Sequence, residues 1–192
     1  VLFDQCLQKV DDILDIAEDT FDWHPSKPDP TPSEYSKDLS QWLRATFPRL
    51  ASIPAKVASA LHYTTCKHIS HRLLKLPANQ RVKKVSFEAW ARMSADVAVL
   101  ESFADDSGVP DLRECFKPNR QLADLMTGES LMPITDEVVR FQRYGSIEPS
   151  YLIQILEKYK SGSTSFGFGT GSKRAREVSD VVKKLKELVR GD

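Results

Sequence analysis

The sequence predicts an all-α bundle, and three observations carry that expectation. Apolar residues recur at helical spacing in segment after segment, no stretch alternates apolar and polar residues over a useful strand length, and proline or glycine marks most of the breaks. A hydrophobic content of 41% and a charged content of 28% are those of an ordinary globular chain. At 192 residues the chain has enough material for one sizeable core or two small helical subdomains.

The longest stripe runs through 53–76, IPAKVASALHYTTCKHISHRLLKL, and the rest of the chain reads as helices packed around it. Pro54 suits a first helical position, where its missing N–H costs nothing. Val57, Leu61, Ile69, Leu73 and Leu76, with Ala58 and Cys66 beside them, then lie on one face. A helix that long must bury its stripe, because propensity alone holds it only marginally.

In chain order, Leu2 to Asp19 places Phe3, Cys6, Leu7, Val10, Ile13, Leu14 and Ala17 inward and its acids outward. Phe21 to Pro32, with four prolines, is an extended surface loop anchored by Phe21 and Trp23. Thr31-Pro32-Ser33-Glu34 fits a capping box with proline at its first position. The helix that follows carries Tyr35, Leu39, Trp42, Leu43, Phe47 and Leu50 and is interrupted near Phe47 by Pro48. Beyond the central stripe, Pro77 to Lys84 is a basic connector. Ser86 to Ala104 is a helix with Trp90, Met93, Val97, Leu100 and Ala104 inward.

Asp105 to Pro110 is a loop. Two short helices flank Pro118, and another spans Thr135 to Tyr144. The helix at Ser150 to Lys160 carries Leu152, Ile155, Leu156 and Tyr159. The expected organisation is a main bundle over 1–160, a flexible Gly/Ser-rich linker at 161–172, and a terminal helix at 173–190 packed on the bundle. Val1 falls inside a helical pattern, so the expectation is a piece of a longer chain.

The bulk numbers exclude several classes. Net charge is +0, which gives no overall field for nucleic acid. Residues 1–38 hold ten acids and three bases, net −7, which leaves +7 on residues 39–192. Cys6, Cys66 and Cys115 are odd in number and far apart, neither a disulfide framework nor a metal spacing, and point to a reduced cytosolic compartment. No apolar run approaches bilayer length.

Each candidate chemistry is thin. His62, His68 and His71 with Cys66 suggest zinc, but at about 100° per residue one helix cannot aim them at a single point. Gly167 to Lys173 resembles a phosphate cradle yet lacks the spacing of either glycine-rich fingerprint. No nucleophile elbow or zinc-protease spacing occurs, so catalysis, cofactor and metal are not expected. Pro25-Ser26-Lys27-Pro28 is a minimal polyproline ligand motif, read first as a structural loop. The last helix has seven bases against three acids, net +4, and offers at most peripheral contact with anionic lipid.

The helix at Ser86 to Ala104 is more suggestive. Beside its core stripe lies a strip of small residues, Ala91, Ser94, Ala95 and Ala98, with Glu88, Arg92, Asp96 and Glu101 keeping part of the circumference polar. Small side chains let another helix or a flat partner surface approach closely. Such a strip is either sandwiched in its own bundle or left open as a docking face.

The order of segments also resembles a known family. Asp22 to Leu43 (DWHPSKPDPTPSEYSKDLSQWL) leads into Leu50 to Ala58, then Ala95 to Ala104, Arg120 to Leu125 and Ile147 to Lys158, and a basic helix ending VKKLKELV closes the set. Together these are similar to the C-terminal region of the Sec-fifteen subunit of the exocyst, the exocyst complex component six family, in register over nearly the whole chain.

The resemblance implies an elongated antiparallel bundle of the tethering-complex helical-rod type, with about seven to nine helices, and no catalysis. It implies a cytoplasmic protein at secretory vesicles and plasma-membrane exocytic sites that binds a GTP-loaded Rab GTPase and contacts other exocyst subunits. The family's Rab face falls on the helix holding Ala91, Ser94, Ala95 and Ala98, with Ser94 at a position where animal members carry asparagine. Two other expectations stand beside it: a scaffold segment that packs only on other exocyst subunits, and a membrane-surface module using the basic last helix.

Overall fold

The computed structural model describes residues 2–160 and 170–191. Among them are eight α-helices: α1 (Leu2–Thr20), α2 (Glu34–Thr46), α3 (Ala55–Ala78), α4 (Ala89–Asp106), α5 (Lys117–Thr127), α6 (Glu137–Tyr144), α7 (Pro149–Lys160) and α8 (Thr170–Gly191). Short 3₁₀ helices at Phe47–Ser52, Leu112–Phe116 and Met132–Thr135 lie in three of the connections, and no described residue is in a strand. The all-α expectation holds. The expected linker at 161–172 lies outside the described residues as far as residue 169, and α8 begins at Thr170 rather than residue 173.

The central stripe buries as its spacing predicts. Leu61, Cys66, Ile69, Leu73 and Leu76 lie in the core, and each fully buried Leu or Ile contributes about 1.5–3 kcal/mol. They face α1, α5 and α7. The stripe starts one turn later than expected, because Val57 is 43% exposed. Pro54 caps the helix instead of opening its first turn, and the helix runs on through Pro77 to Ala78. The helical spacing of the last helix also puts Val189 inward with Val178, Val181, Val182 and Leu185, yet Val189 is exposed on α8.

Helices α1 and α3 run in the same direction, as do α2 and α4. On the α1–α3 side, Asp11 reaches His68 at 2.7 Å and also pairs with Arg72, while further along Glu18 accepts from Asn79 at 3.0 Å. On the α2 side, Ser36 meets Asp96 at 2.8 Å, and Arg44 meets Asp106 at 2.8 Å. Contact positions that advance together along both helices mean parallel pairs, as when consecutive helices alternate up and down.

Arg72 also takes Asp15 at 2.7 Å and Glu18 at 3.0 Å, so one guanidinium serves three acids spaced along one face of α1. The acidic N-terminal segment is therefore partly used inside the fold, against the basic residues of α3.

The proline loop is anchored as expected. Phe21 and Trp23 are buried with ring centroids 4.4 Å apart, and Trp23 meets Trp90 of α4 edge-on at 6.0 Å. The capping box does not form. Helix α2 starts at Glu34, Ser33 occupies the cap without a side-chain cap bond, and its hydroxyl points to Asp96 of α4 instead. The same segment is thus tied across to α4, which places the loop beside that helix.

Candidate functional site

Helix α4 packs on α2 and α5 and on the 3₁₀ turn at Leu112–Phe116. Its core stripe is buried as expected: Trp90, Met93, Val97, Leu100 and Ala104. The small strip faces the other way. Ala91, Ser94 and Ala95 are half-buried, Ala98 is exposed, and Ser102 continues the exposed side. The four expected site residues are therefore together on one helix and not sandwiched within the described bundle.

The polar circumference expected around that strip is not a solvated face. Asp96 is fully buried and Glu101 is 6% exposed. Asp96 accepts the Ser33 N–H at 2.6 Å, the Ser33 hydroxyl at 2.9 Å, the Tyr35 hydroxyl at 2.7 Å and the Ser36 hydroxyl at 2.8 Å. The Ser36 hydroxyl is also 2.8 Å from the Ser33 carbonyl, so its single proton is shared. Burial pushes the Asp96 carboxyl above its usual range, against the pull of these donors, with Tyr35 the strongest of them. The carboxylate pins the start of α2 onto α4.

Glu101 holds Arg120 of α5, with Nη2 at 2.6 Å and Nε at 3.0 Å from one carboxylate oxygen. Arg120 in turn donates to the Ser94 hydroxyl at 3.0 Å. Ser94 is therefore the seam between the strip and α5, whereas Ala91, Ala95 and Ala98 form the open ridge. Arg92, at the other flank, pairs with Asp29 of the proline loop. A ridge of small residues is thus braced on both sides by charge pairs that fix its neighbours.

Arg120, Glu101 and Asp29 were not visible as site residues in the sequence. Arg120 lies within a stretch that carries the family resemblance, but α5 periodicity identifies only its own inward residues, Leu122, Leu125 and Met126. Nothing in the spacing says which neighbour its polar flank will meet.

The other candidates separate. His62 stacks on Phe47 at 4.0 Å with both ring nitrogens enclosed, and burial lowers its pKa. His68 pairs with Asp11, and His71 is exposed. Among the described residues no group of three His, Cys, Asp or Glu is placed to hold a metal ion. Cys6, Cys66 and Cys115 are buried free thiols, each with a pKa raised by burial.

The glycine-rich stretch lies largely outside the described residues. In the Pro25–Pro28 motif, Lys27 and Pro28 are exposed and Pro25 is half-buried. On α8, Arg174 turns inward over Phe87 at 4.2 Å and bonds the Gly128 carbonyl at 2.8 Å, while Lys183 and Lys184 are exposed. No helix among the described residues is long and apolar enough to cross a membrane.

The described residues form a layered helical bundle in which α4 carries a ridge of small residues on the side away from its core stripe. The family model for the C-terminal region of exocyst complex subunit Sec15 matches residues 1–158, and the chain belongs to that family. It is 31% identical over 195 residues to exocyst complex component 6 of Homo sapiens, covering 96% of this chain and 24% of that protein. To exocyst complex component 6 of Drosophila melanogaster it is 26% identical over 188 residues, covering 94% of this chain and 24% of that protein. The Caenorhabditis elegans protein of the same name is 30% identical over 196 residues, covering 96% of this chain and 24% of that protein. The chain thus spans about a quarter of the length of these relatives. No solved structure is a significant match to it.

Proposed function

We propose that this chain is a non-catalytic domain of a vesicle-tethering complex that docks a GTP-loaded Rab GTPase on α4 and so links secretory vesicles to the exocyst at the plasma membrane. Family membership supports the tethering role. The observation that carries the docking is the open ridge of Ala91, Ala95 and Ala98, with Ser94 at its seam and braced partners on either side.

Alanines have no rotamer freedom to lose on contact, so a partner surface meets them at low entropic cost. Switch regions of small GTPases are ordered by the γ-phosphate and its magnesium. A flat, fixed ridge is the surface that gains from such ordering, because it fits one arrangement of the switches. The protein acts in the cytoplasm, at vesicles and exocytic sites, with other exocyst subunits as its remaining partners.

The test is capture by a panel of Rab GTPases loaded with a non-hydrolysable GTP analogue or with GDP. Capture by one or a few members in the GTP form alone is expected. Binding of none, or equally in both forms, removes the GTPase from the reading.

A second reading, a scaffold segment packed against other exocyst subunits, is favoured by α6. There Phe141 is 82% exposed and Val138 is 63% exposed, side by side on one face. A nucleotide-independent set of exocyst partners, lost in Phe141→Asp, is the outcome this reading expects.

A further inference from the structure

The proline loop carries an exposed threonine hydroxyl beside the Asp29–Arg92 pair. Between Asp29 and Ser33 the chain is pinned to α4 at two points one helical turn apart: Asp29 on Arg92 and Ser33 on Asp96. Thr31 lies in the middle of that span, exposed, and is followed by Pro32. We propose that Thr31 is a phosphorylation site for a proline-directed protein kinase, and that Arg92 receives the phosphate once Asp29 is displaced.

Kinase clefts take an acceptor in an irregular, non-helical segment, and this stretch is kept out of helix by composition. Pro28, Pro30 and Pro32 keep it out of helix and fix its φ angles. The transfer itself uses ATP. A bond forms between Thr31 Oγ1 and the γ-phosphorus as the bond to the β-phosphate oxygen breaks. ADP leaves with that electron pair, and the hydroxyl proton passes to the kinase's base.

The local chemistry then changes sign. In the unmodified chain one Asp29 carboxylate serves both neighbours, accepting the Thr31 N–H at 2.9 Å and pairing with Arg92. Contacts from the Thr31 hydroxyl and N–H, and then Arg92, hold the Asp29 carboxyl down to about 2. A phosphate on that hydroxyl brings a charge of about −2 against an ionised carboxylate and offers three strong acceptors. Repulsion ejects Asp29, and the guanidinium, partly exposed and geometrically matched to phosphate, is taken over. Arg92 is one turn from Ala95 and adjacent to Ala91, so the new negative charge sits at the edge of the ridge.

The test uses the full 192-residue chain, a cyclin-dependent and a mitogen-activated kinase, and ATP. One phosphate is expected, mapped to Thr31 by mass spectrometry and absent from Thr31→Ala. Phosphorus NMR then reads the second ionisation of the phosphothreonine. It is expected to fall by about half a unit or more relative to a free phosphopeptide of residues 27–36, because a nearby cation favours the dianion. Arg92→Gln is expected to return it to the peptide value.

A folded chain left unmodified at Thr31 by both kinases overturns the site. A titration identical in the chain, in Arg92→Gln and in the peptide overturns Arg92 as its receptor. Neither readout involves a GTPase, so this inference and the tethering reading stand or fall separately.

Discussion

Arg120 grips Glu101 with two N–H bonds, Nη2 at 2.6 Å and Nε at 3.0 Å, and spends a further N–H on the Ser94 hydroxyl at 3.0 Å. The pair joins α5 to α4 at the edge of the docking ridge. Glu101 is 6% exposed, and the Arg120 side chain is 25% exposed. Removing the Glu101 charge leaves the partly buried guanidinium with weaker compensation, from the Ser94 hydroxyl and from Asp124 at 3.6 Å. Glu101→Gln is therefore expected to cost about 2 kcal/mol, less than a wholly buried pair because water still reaches the guanidinium. Urea unfolding measures it, and a midpoint equal to that of the parent chain would show that the pair contributes nothing.

Ala98 supplies the cleaner test of the ridge. It is exposed, whereas Ser94 is engaged by Arg120, so an arginine at 94 would disturb the fold's own contact as well as any partner's. Ala98→Arg is expected to leave helicity and unfolding midpoint unchanged and to weaken capture of the GTP-loaded partner by about 100-fold, the scale of a central interface residue. Titration calorimetry reads the affinity. Undiminished binding would move the partner to another face.

Asp96 draws the Ser33, Tyr35 and Ser36 donors into one buried site. Asp96→Asn turns an amide NH₂ toward those donors and is expected to cost about 3 kcal/mol. Tyr35→Phe alone is expected to cost about 1–2 kcal/mol. The two losses should not add, because the tyrosine's contribution depends on the carboxylate. Additive losses in a double-mutant cycle would break the link between them.

Glu177 ties α8 to the turn after α5. It accepts the Leu131 N–H at 2.6 Å and the Met132 N–H at 3.3 Å, and it bonds the Ser130 hydroxyl. Burial pushes its carboxyl up, but the Ser130 hydroxyl, the Leu131 N–H and Arg174 outweigh this and hold it below its ordinary 4.5. A carboxylate whose folded pKa is depressed contributes stability above its unfolded pKa and loses it as pH falls through the folded one. Glu177→Gln is thus expected to destabilise the chain by about 1–2 kcal/mol near neutrality. The gap from the parent should narrow as pH falls below 4.5 and through the depressed folded pKa. A gap that stays constant from pH 7 to 3 would contradict the assignment.

The chain's periodicity was enough to place α1, α2, α3, α4, α7 and α8 and to identify most of their buried residues. It also located the anchored loop at Phe21 and Trp23 and the small-residue strip of α4. Boundaries slipped at the start of α2 and at the end of α3. Ser33 serves Asp96 instead of capping α2 through its side chain, and α3 carries Pro77 in its last turn.

What the sequence determined by itself is the set of helices and which stripe of each turns inward, since spacing along one element is a local property. What only the tertiary structure decided is the fate of the polar residues beside those stripes. Asp96 and Glu101 occupy positions that a helical projection assigns equally well to water or to a compensated buried site. Burying a charge is favourable only where another element brings donors or a counter-charge to it. Those groups come from α2 and α5, dozens of residues away for Ser33 and Tyr35, and their arrival leaves the alanine ridge of α4 open between its braced flanks.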